Sequence, residues 1–282
     1  MVDLSRDSNG RTRARLLDLV PGRSGQVYKA WLRQRGKTFR DNVQVATLDP
    51  FHGYKNAIDD QLEDARAVLD AFHVVKLATG VVDQVRRRVQ QDIHGHRGRK
   101  DDPLYRIRNI LRAGAENLTD RQRERLTRAW AADERHLEVE LAYQCAQLVR
   151  SVYHQDTLAE GRAVAERVLV SFTTGPIPEV ARLGRTLKQW RTEFLGYFDT
   201  AGASNGGTEA IIIWSADPAV ADVADEAGAC RGRHVLWTLS LTSPTSQPER
   251  SRPGSDSMHA RSGLRLRRER DEGSAGAHAG HV

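Results

Sequence analysis

The sequence predicts a mixed α/β fold, and three observations carry that prediction. Asn9-Gly10 lies between two N-terminal segments, the strongest short signal for a tight hairpin turn. Two short apolar runs, at 43–48 and 66–69, flank one helix-length segment, and so short a crossover implies parallel strands joined with a right-handed connection. From Val74 to Phe198 the apolar residues recur at spacings of three and four, the period of helices.

Taken in order, residues 1–20 read as a hairpin whose better strand runs from Arg15 to Val20. Pro21-Gly22 breaks it, and Val27, Ala30 and Trp31 put an apolar face on a short helix ending near Gly36. A strand follows over Val43 to Leu48, then a helix around Tyr54, Ile58 and Leu62, then a strand from Arg66 to Leu69. Val74, Leu77, Val81, Val85 and Val89 mark one face of the next helix. Thr119 followed by Gln122 forms a capping box for a helix carrying Leu126 and Trp130. Leu137, Leu141, Cys145 and Leu148 mark another helix, and Val164, Val168 and Phe172 one more. Pro176-Ile177-Pro178-Glu179 interrupts the chain before a helix with Val180, Leu183, Leu187, Trp190, Phe194 and Phe198 on one side. Residues 199–207 read as a loop, with Asn205 or Thr208 capping the helix that carries Glu209. Past Trp214 the character changes. Val235 to Leu241 is the last apolar stretch, and from Thr242 onward there is too little to bury to offset the entropy of ordering, so disorder is expected.

Composition sets bounds on function. With 282 residues the chain is long enough for a substantial core. Lys+Arg number 43 against 37 Asp+Glu, a net charge of +6 that suits a polyanionic partner without naming one. Two cysteines, Cys145 and Cys230, exclude a disulfide framework and offer no zinc spacing. Cys145 falls on the apolar side of its predicted helix and is expected to be a reduced core residue. Residues from Met1 onward do not read as a cleavable apolar segment, and no apolar run approaches the ~20 residues needed to cross a bilayer, so a cytoplasmic protein is expected. Glycine-rich nucleotide loops, nucleophile elbows and paired-histidine zinc motifs are absent from the sequence.

The residues that carry chemistry are acidic. Asp49 and Asp70 each close an apolar run, and Glu209 stands in an Asn-Gly-Gly-Thr-Glu turn. Carboxylates at the ends of buried strands, with a distant glutamate opening a helix, are the hard oxygen donors that two divalent cations take. On residues alone Asp49 also reads as a cap for the helix after Pro50, and Glu209 as a surface helix residue. Asp70 has three readings: assisting a metal, orienting His73, or capping a helix that starts near Phe72. A supporting role is favoured for it, and His73 reads as an interior histidine outside the catalytic set. Arg86, Arg87 and Arg88 are expected on the polar side of their helix. With Arg97, Arg99 and Lys100 in the following loop, they read either as DNA-backbone contacts or as an ordinary solvated face. His94-Gly95-His96 lacks a third ligand at zinc spacing. Arg121, Arg123, Arg125 and Arg128 sit among acidic residues and read as a surface laced with ion pairs.

Several segments together resemble the DDE transposases of bacterial insertion sequences, in the ISL-three group. The "strand-Asp-x-x-x-x-Tyr" segment is matched by Asp49 and Tyr54, and "Asp-x-Phe-His-Val-Val" by Asp70, Phe72, His73, Val74 and Val75. The arginine-rich helix and "Gly-His-Arg-Gly-Arg-Lys" loop appear as Arg86-Arg87-Arg88 and Gly95 to Lys100. "Ser-Asn-x-x-Thr-Glu-Ala-Ile-Asn" is matched by Ser204, Asn205, Thr208, Glu209, Ala210 and Ile211, without the final asparagine. The resemblance covers roughly residues 1–211.

It implies a ribonuclease-H-like core, here partial: a hairpin plus a parallel strand-helix-strand unit over 1–75. A large all-helical insertion over 76–198 would follow, then a loop and helix start carrying the glutamate over 199–213, and a divergent, largely disordered tail over 214–282. It implies transposition by metal-dependent phosphodiester hydrolysis and strand transfer. Asp49 and Glu209 would hold Mg²⁺, Asp70 would support them, and Arg86, Arg87, Arg88, Arg97, Arg99 and Lys100 would contact DNA. The implied partners are double-stranded DNA, transposon ends, and further copies of the chain or full-length transposase, acting at the bacterial nucleoid. The family's first catalytic aspartate lies upstream of the segment beginning at Met1, and after Ile211 the chain departs from the family. A frameshifted, inactive gene fragment is therefore expected, with a catalytically dead DNA-binding or transposase-interaction fragment as the alternative.

Overall fold

The N-terminal segments pair as a hairpin in the computed structural model, which describes residues 1–5, 9, 14–22, 24–204 and 240–242. β1 (Val2–Asp3) and β2 (Arg15–Leu16) run antiparallel, with Val2 opposite Leu16, and Asn9 lies in a turn between them. The strand expected to reach Val20 stops at Leu16. Past it, Asp18 is drawn off to accept from the Trp31 indole at 2.8 Å and from Arg35 at 2.7 Å.

α1 (Gly25–Gln34) starts at Ser24, whose hydroxyl accepts from the Val27 backbone N–H. Its buried face is Tyr28, Trp31 and Leu32, whereas Ala30, expected inside, is exposed. A second short helix, α2 (Gly36–Asp41), follows directly. β3 (Val45–Leu48), α3 (His52–Gln61) and β4 (Arg66–Leu69) then form the expected parallel strand-helix-strand unit, with Leu48 opposite Leu69. α1 packs on α3 at a crossing that only glycine permits: a Cβ on Gly25 would lie 2.2 Å from the Gly53 carbonyl oxygen.

The helical run begins with α4 (Ala71–His94). After α5 (Pro103–Arg106) come α6 (Asp120–Trp130), α7 (Leu137–Ser151), α8 (Leu158–Ser171), α9 (Pro178–Gln189) and α10 (Arg191–Asp199). The Thr119–Gln122 capping box is present, and Thr157–Glu160 forms a second one at the start of α8. α4 packs chiefly against α7, and α10 lies along β4. Leu48, Leu69, Val74, Val85, Val139 and Leu187 belong to one continuous apolar core joining sheet and helices.

Two helix faces differ from expectation. α7 turns Val139, Ala142, Tyr143, Ala146 and Val149 inward, while Leu137 and Leu141 are 55% and 37% exposed and Cys145 is only half-buried. Ala142 and Ala146 keep the buried stripe narrow, which allows close packing against the main neighbour α4. The helix expected to run unbroken to Phe198 stops at Trp190, whose backbone leaves helical geometry. The Trp190 ring is buried and stacks on His52, 4.6 Å between centroids.

A fifth strand completes the sheet. β5 (Ser240–Thr242) lies between the two pairs, giving the order β2-β1-β5-β3-β4. It runs parallel to β1 and antiparallel to β3. Most of the expected hairpin loop, Glu209 with residues 205–208 before it, Cys230 and the rest of 205–239 and 243–282 lie outside the described residues. Among the described residues no helix is long and apolar enough to cross a membrane.

Candidate functional site

Parallel pairing fixes where the two aspartates emerge. Because Leu48 and Leu69 are register partners, Asp49 and Asp70 leave the same end of adjacent strands, and the Asp70 N–H still donates to the Leu48 carbonyl at 3.0 Å. After Asp49 the chain turns sharply, with the Phe51 N–H donating to the Asp49 carbonyl at 2.6 Å. Asp49 does not cap α3. The residue at that N-cap is Phe51, and no side chain bonds there. The Asp49 Oδ1 is instead buried without a hydrogen bond, an arrangement that costs free energy unless a cation compensates it.

Asp70 is 2% exposed and has two visible tasks. Its Oδ2 accepts from the His73 backbone N–H at 3.1 Å, capping α4, and lies 2.8 Å from His73 Nδ1. The same Nδ1 is 2.9 Å from Asp49 Oδ1, an ion-pair contact off the direction of a hydrogen bond. Partial burial works against a charged imidazole here. The two carboxylates outweigh it and raise the His73 pKa from 6.5 to about 9. At neutral pH the site is therefore an imidazolium held between two carboxylates.

His73 is the residue that sequence reasoning set aside, although a signal for it existed. Both strands are followed by the same four-residue pattern, Asp49-Pro50-Phe51-His52 and Asp70-Ala71-Phe72-His73. The copies diverge in space: His52 stacks on Trp190 and its Nε2 is 3.1 Å from Gln189 Nε2, whereas His73 joins the carboxylates. Phe51 and Phe72 are both exposed beside them. Among the described residues no group of three or more His, Cys, Asp or Glu side chains could hold a metal ion, and Glu209 lies outside those residues.

The arginines of α4 separate. Arg86, expected on the polar face, is only 3% exposed. It donates to Asp83 at 2.6 and 3.1 Å and to Gln90, which is itself fully buried. A guanidinium can be buried there because both neighbours one helical turn away accept from it. Arg88 ties three helices together, donating to Glu179 on α9 at 2.7 Å and to Glu138 on α7 at 2.7 Å. The pair with Glu179 raises the Arg88 pKa far above its ordinary value. Arg87 faces outward and pairs with Asp83 at 2.8 Å.

The following loop is basic and exposed at Arg97, Arg99 and Lys100. It is pinned from beneath, since Asp102 accepts from the Arg99 N–H at 2.7 Å and from Gln90 Nε2 at 3.0 Å. Gly98 has φ +114°, and a Cβ there would lie 2.7 Å from Gln90 Nε2, so the loop is seated directly on α4.

A family model described as "Transposase", for DDE transposases of the ISL-three group, matches residues 1–212. No curated protein and no solved structure matches the chain.

Proposed function

The chain belongs to the ISL-three group of DDE transposases, and from that premise we propose that its chemistry is DNA transposition by phosphodiester hydrolysis at transposon ends and strand transfer. The observation that supports the site assignment is that Asp49 and Asp70 leave the same end of the paired strands β3 and β4. Asp49 Oδ1 accepts no hydrogen bond and faces the positive His73 ring, a charge that a divalent cation would supply in its place. Asp49 and Glu209 are the ligands in this reading, and Mg²⁺ bound there would supply Lewis-acid neutralisation of charge on the phosphate oxygens. Asp70 is a positioning residue that fixes the start of α4 and orients His73. His73 holds a proton at Nδ1 between the two aspartates.

The same reading gives the fold its finer name. An antiparallel β1–β2 pair and a parallel β3–β4 pair in one sheet, with α3 crossing between the latter, support a ribonuclease-H-like core over 1–75. The helices of 76–198 are then an insertion, 199–213 the segment bringing Glu209, and 214–282 a divergent tail. Duplex DNA, transposon ends and further transposase subunits are the partners, met in the bacterial cytoplasm at the nucleoid.

One observation favours a second reading. The His73 imidazolium already pairs with both aspartates and offsets one of their two charges, as a catalytically dead DNA-binding or transposase-interaction protein would allow. Duplex DNA carrying the element's ends, incubated with the chain and Mg²⁺ or Mn²⁺, separates the two. Cleavage lost in Asp49→Asn and Glu209→Gln supports transposition through this site, and cleavage surviving Asp49→Asn overturns the site. DNA binding with no cleavage by the unaltered chain leaves the second reading.

A further inference from the structure

Beside the buried Arg86 network the surface sinks into a hollow of about 380 Å³. Its wall is formed by α4 and by the segment from Tyr105 to Arg112. Five guanidinium groups line it, those of Arg86, Arg87, Arg97, Arg108 and Arg112, against a single carboxylate, Asp83. That carboxylate is already engaged by Arg86 and Arg87. Arg97 and Arg112 form no ion pair and no side-chain hydrogen bond among the described residues.

The hollow is also held in shape. Arg108 lies over the Tyr105 ring, 4.0 Å from its centroid, and donates to the Tyr105 carbonyl at 2.9 Å. Stacking of this kind fixes the plane of a guanidinium and presents its remaining donors in one direction. Arg86 is fixed by Asp83 and Gln90, and the Gly98 turn seated on Gln90 and Tyr105 sets Arg97 at the rim. An excess of preorganised guanidinium donors in a concavity, with no acidic group left to answer them, calls for an oxyanion with several acceptor oxygens.

We propose that this hollow seats a backbone phosphate of double-stranded DNA, with Arg97, Arg108 and Arg112 as its donors and the Asp83–Arg86–Gln90 network as its floor. The proposal deepens the DNA-contact part of the function above and is independent of the metal site. It shifts the contact from the exposed side of α4 to the groove between α4 and the following segment. Arg108 and Arg112, outside the arginine-rich helix and loop, become members of the surface.

The test is duplex binding by the full chain in EDTA, followed by fluorescence anisotropy over a salt series. Arg97→Ala and Arg112→Ala are the variants, because both side chains are exposed and neither is paired among the described residues. Each phosphate contact contributes about 0.9 to the slope of log K against log salt, which is roughly fivefold in affinity at about 0.15 M salt. Each variant is expected to lose about that much slope and affinity, with the double variant losing about twice the slope. Arg121→Ala, exposed on α6, is expected to change neither. In parallel, inorganic phosphate should displace duplex from the unaltered chain better than chloride of equal ionic strength, and lose that advantage in the double variant. Unchanged slope and affinity in both variants would overturn the seat alone. Phosphate competition that depends on these arginines, with duplex affinity that does not, would make the hollow a free-anion site and overturn the DNA assignment. A chain that binds no duplex at all would overturn both this inference and the DNA contact it rests on.

Discussion

His73 Nδ1 stands 2.9 Å from Asp49 Oδ1, so a histidine on a helix supplies the positive charge facing a carboxylate that ends a strand. Asp70 holds the ring in place from the other side at 2.8 Å. The consequence is a pH dependence with a definite sign. A histidine whose pKa rises from 6.5 to about 9 on folding stabilises the fold fully below pH 6.5. That contribution is lost as pH rises through about 9. In metal-free protein the His73 ring is expected to titrate near pH 9 by NMR. The Met1 amino group, lowered to about 6, titrates over the same range with the opposite sign, so the quantity to follow is the stability difference from His73→Gln. By urea denaturation that difference should shrink by on the order of 1–2 kcal/mol across that window, after allowance for screening of a partly exposed group. A His73 titration near 6.5 would contradict the arrangement.

Arg88 gives a stability prediction rather than a DNA-binding one. Its partner Glu179 is 6% exposed, and removing the guanidinium leaves that carboxylate buried and uncompensated. Arg88→Met is expected to cost about 3 kcal/mol in chemical denaturation, and the double change Arg88→Met with Glu179→Leu to recover much of it. Wild-type stability in Arg88→Met would show the three-helix tie to be idle.

Gly98→Ala tests the seating of the basic loop. At φ +114°, with Gln90 and Tyr105 within 3 Å of the added Cβ, the substitution is expected to cost about 1–3 kcal/mol locally. Hydrogen exchange should quicken in the loop while α7 to α9 keep their protection. Unchanged exchange around Arg99 and Asp102 would mean that the turn tolerates a side chain.

The two faces of α7 predict opposite outcomes for similar truncations. Val139→Ala removes buried methyl groups and is expected to cost about 1–3 kcal/mol. Leu141→Gln, on the outer side, should stay within about 0.5 kcal/mol. Reversed values would restore the leucine-marked face as the buried one.

What could be read from the sequence divides along physical lines. Local signals were legible. The N-terminal hairpin pairing, the strand-helix-strand unit ending in Asp49 and Asp70, and the Thr119–Gln122 box each depend on a few nearby residues, and each stands where expected. Periodicity marked the helices but chose the wrong face on α7. Leucine spacing there competes with a stripe of alanines, and close packing on α4 decided for the alanines. The burial of Arg86 was not legible, because it depends on Asp83 and Gln90 at helical spacing and on Asp102 arriving from a later turn. The Trp190 break was hidden for the same reason, its stacking partner His52 being remote in sequence. His73 was legible in the repeated Asp-x-Phe-His pattern, but only its three-dimensional neighbours set it apart from His52.

The position of β5 bears on the order of assembly. A strand drawn from Ser240–Thr242 separates two ribbons built from the first 69 residues. On an emerging polypeptide those ribbons wait with open lateral edges until Thr242 has been made. Helices stabilised by near neighbours form on a faster clock than a pairing of such sequence separation. Refolding should therefore show helical circular dichroism early and sheet closure last. In that interval the bare flanks of β1 and β3 are the surface most prone to capture a strand from another molecule.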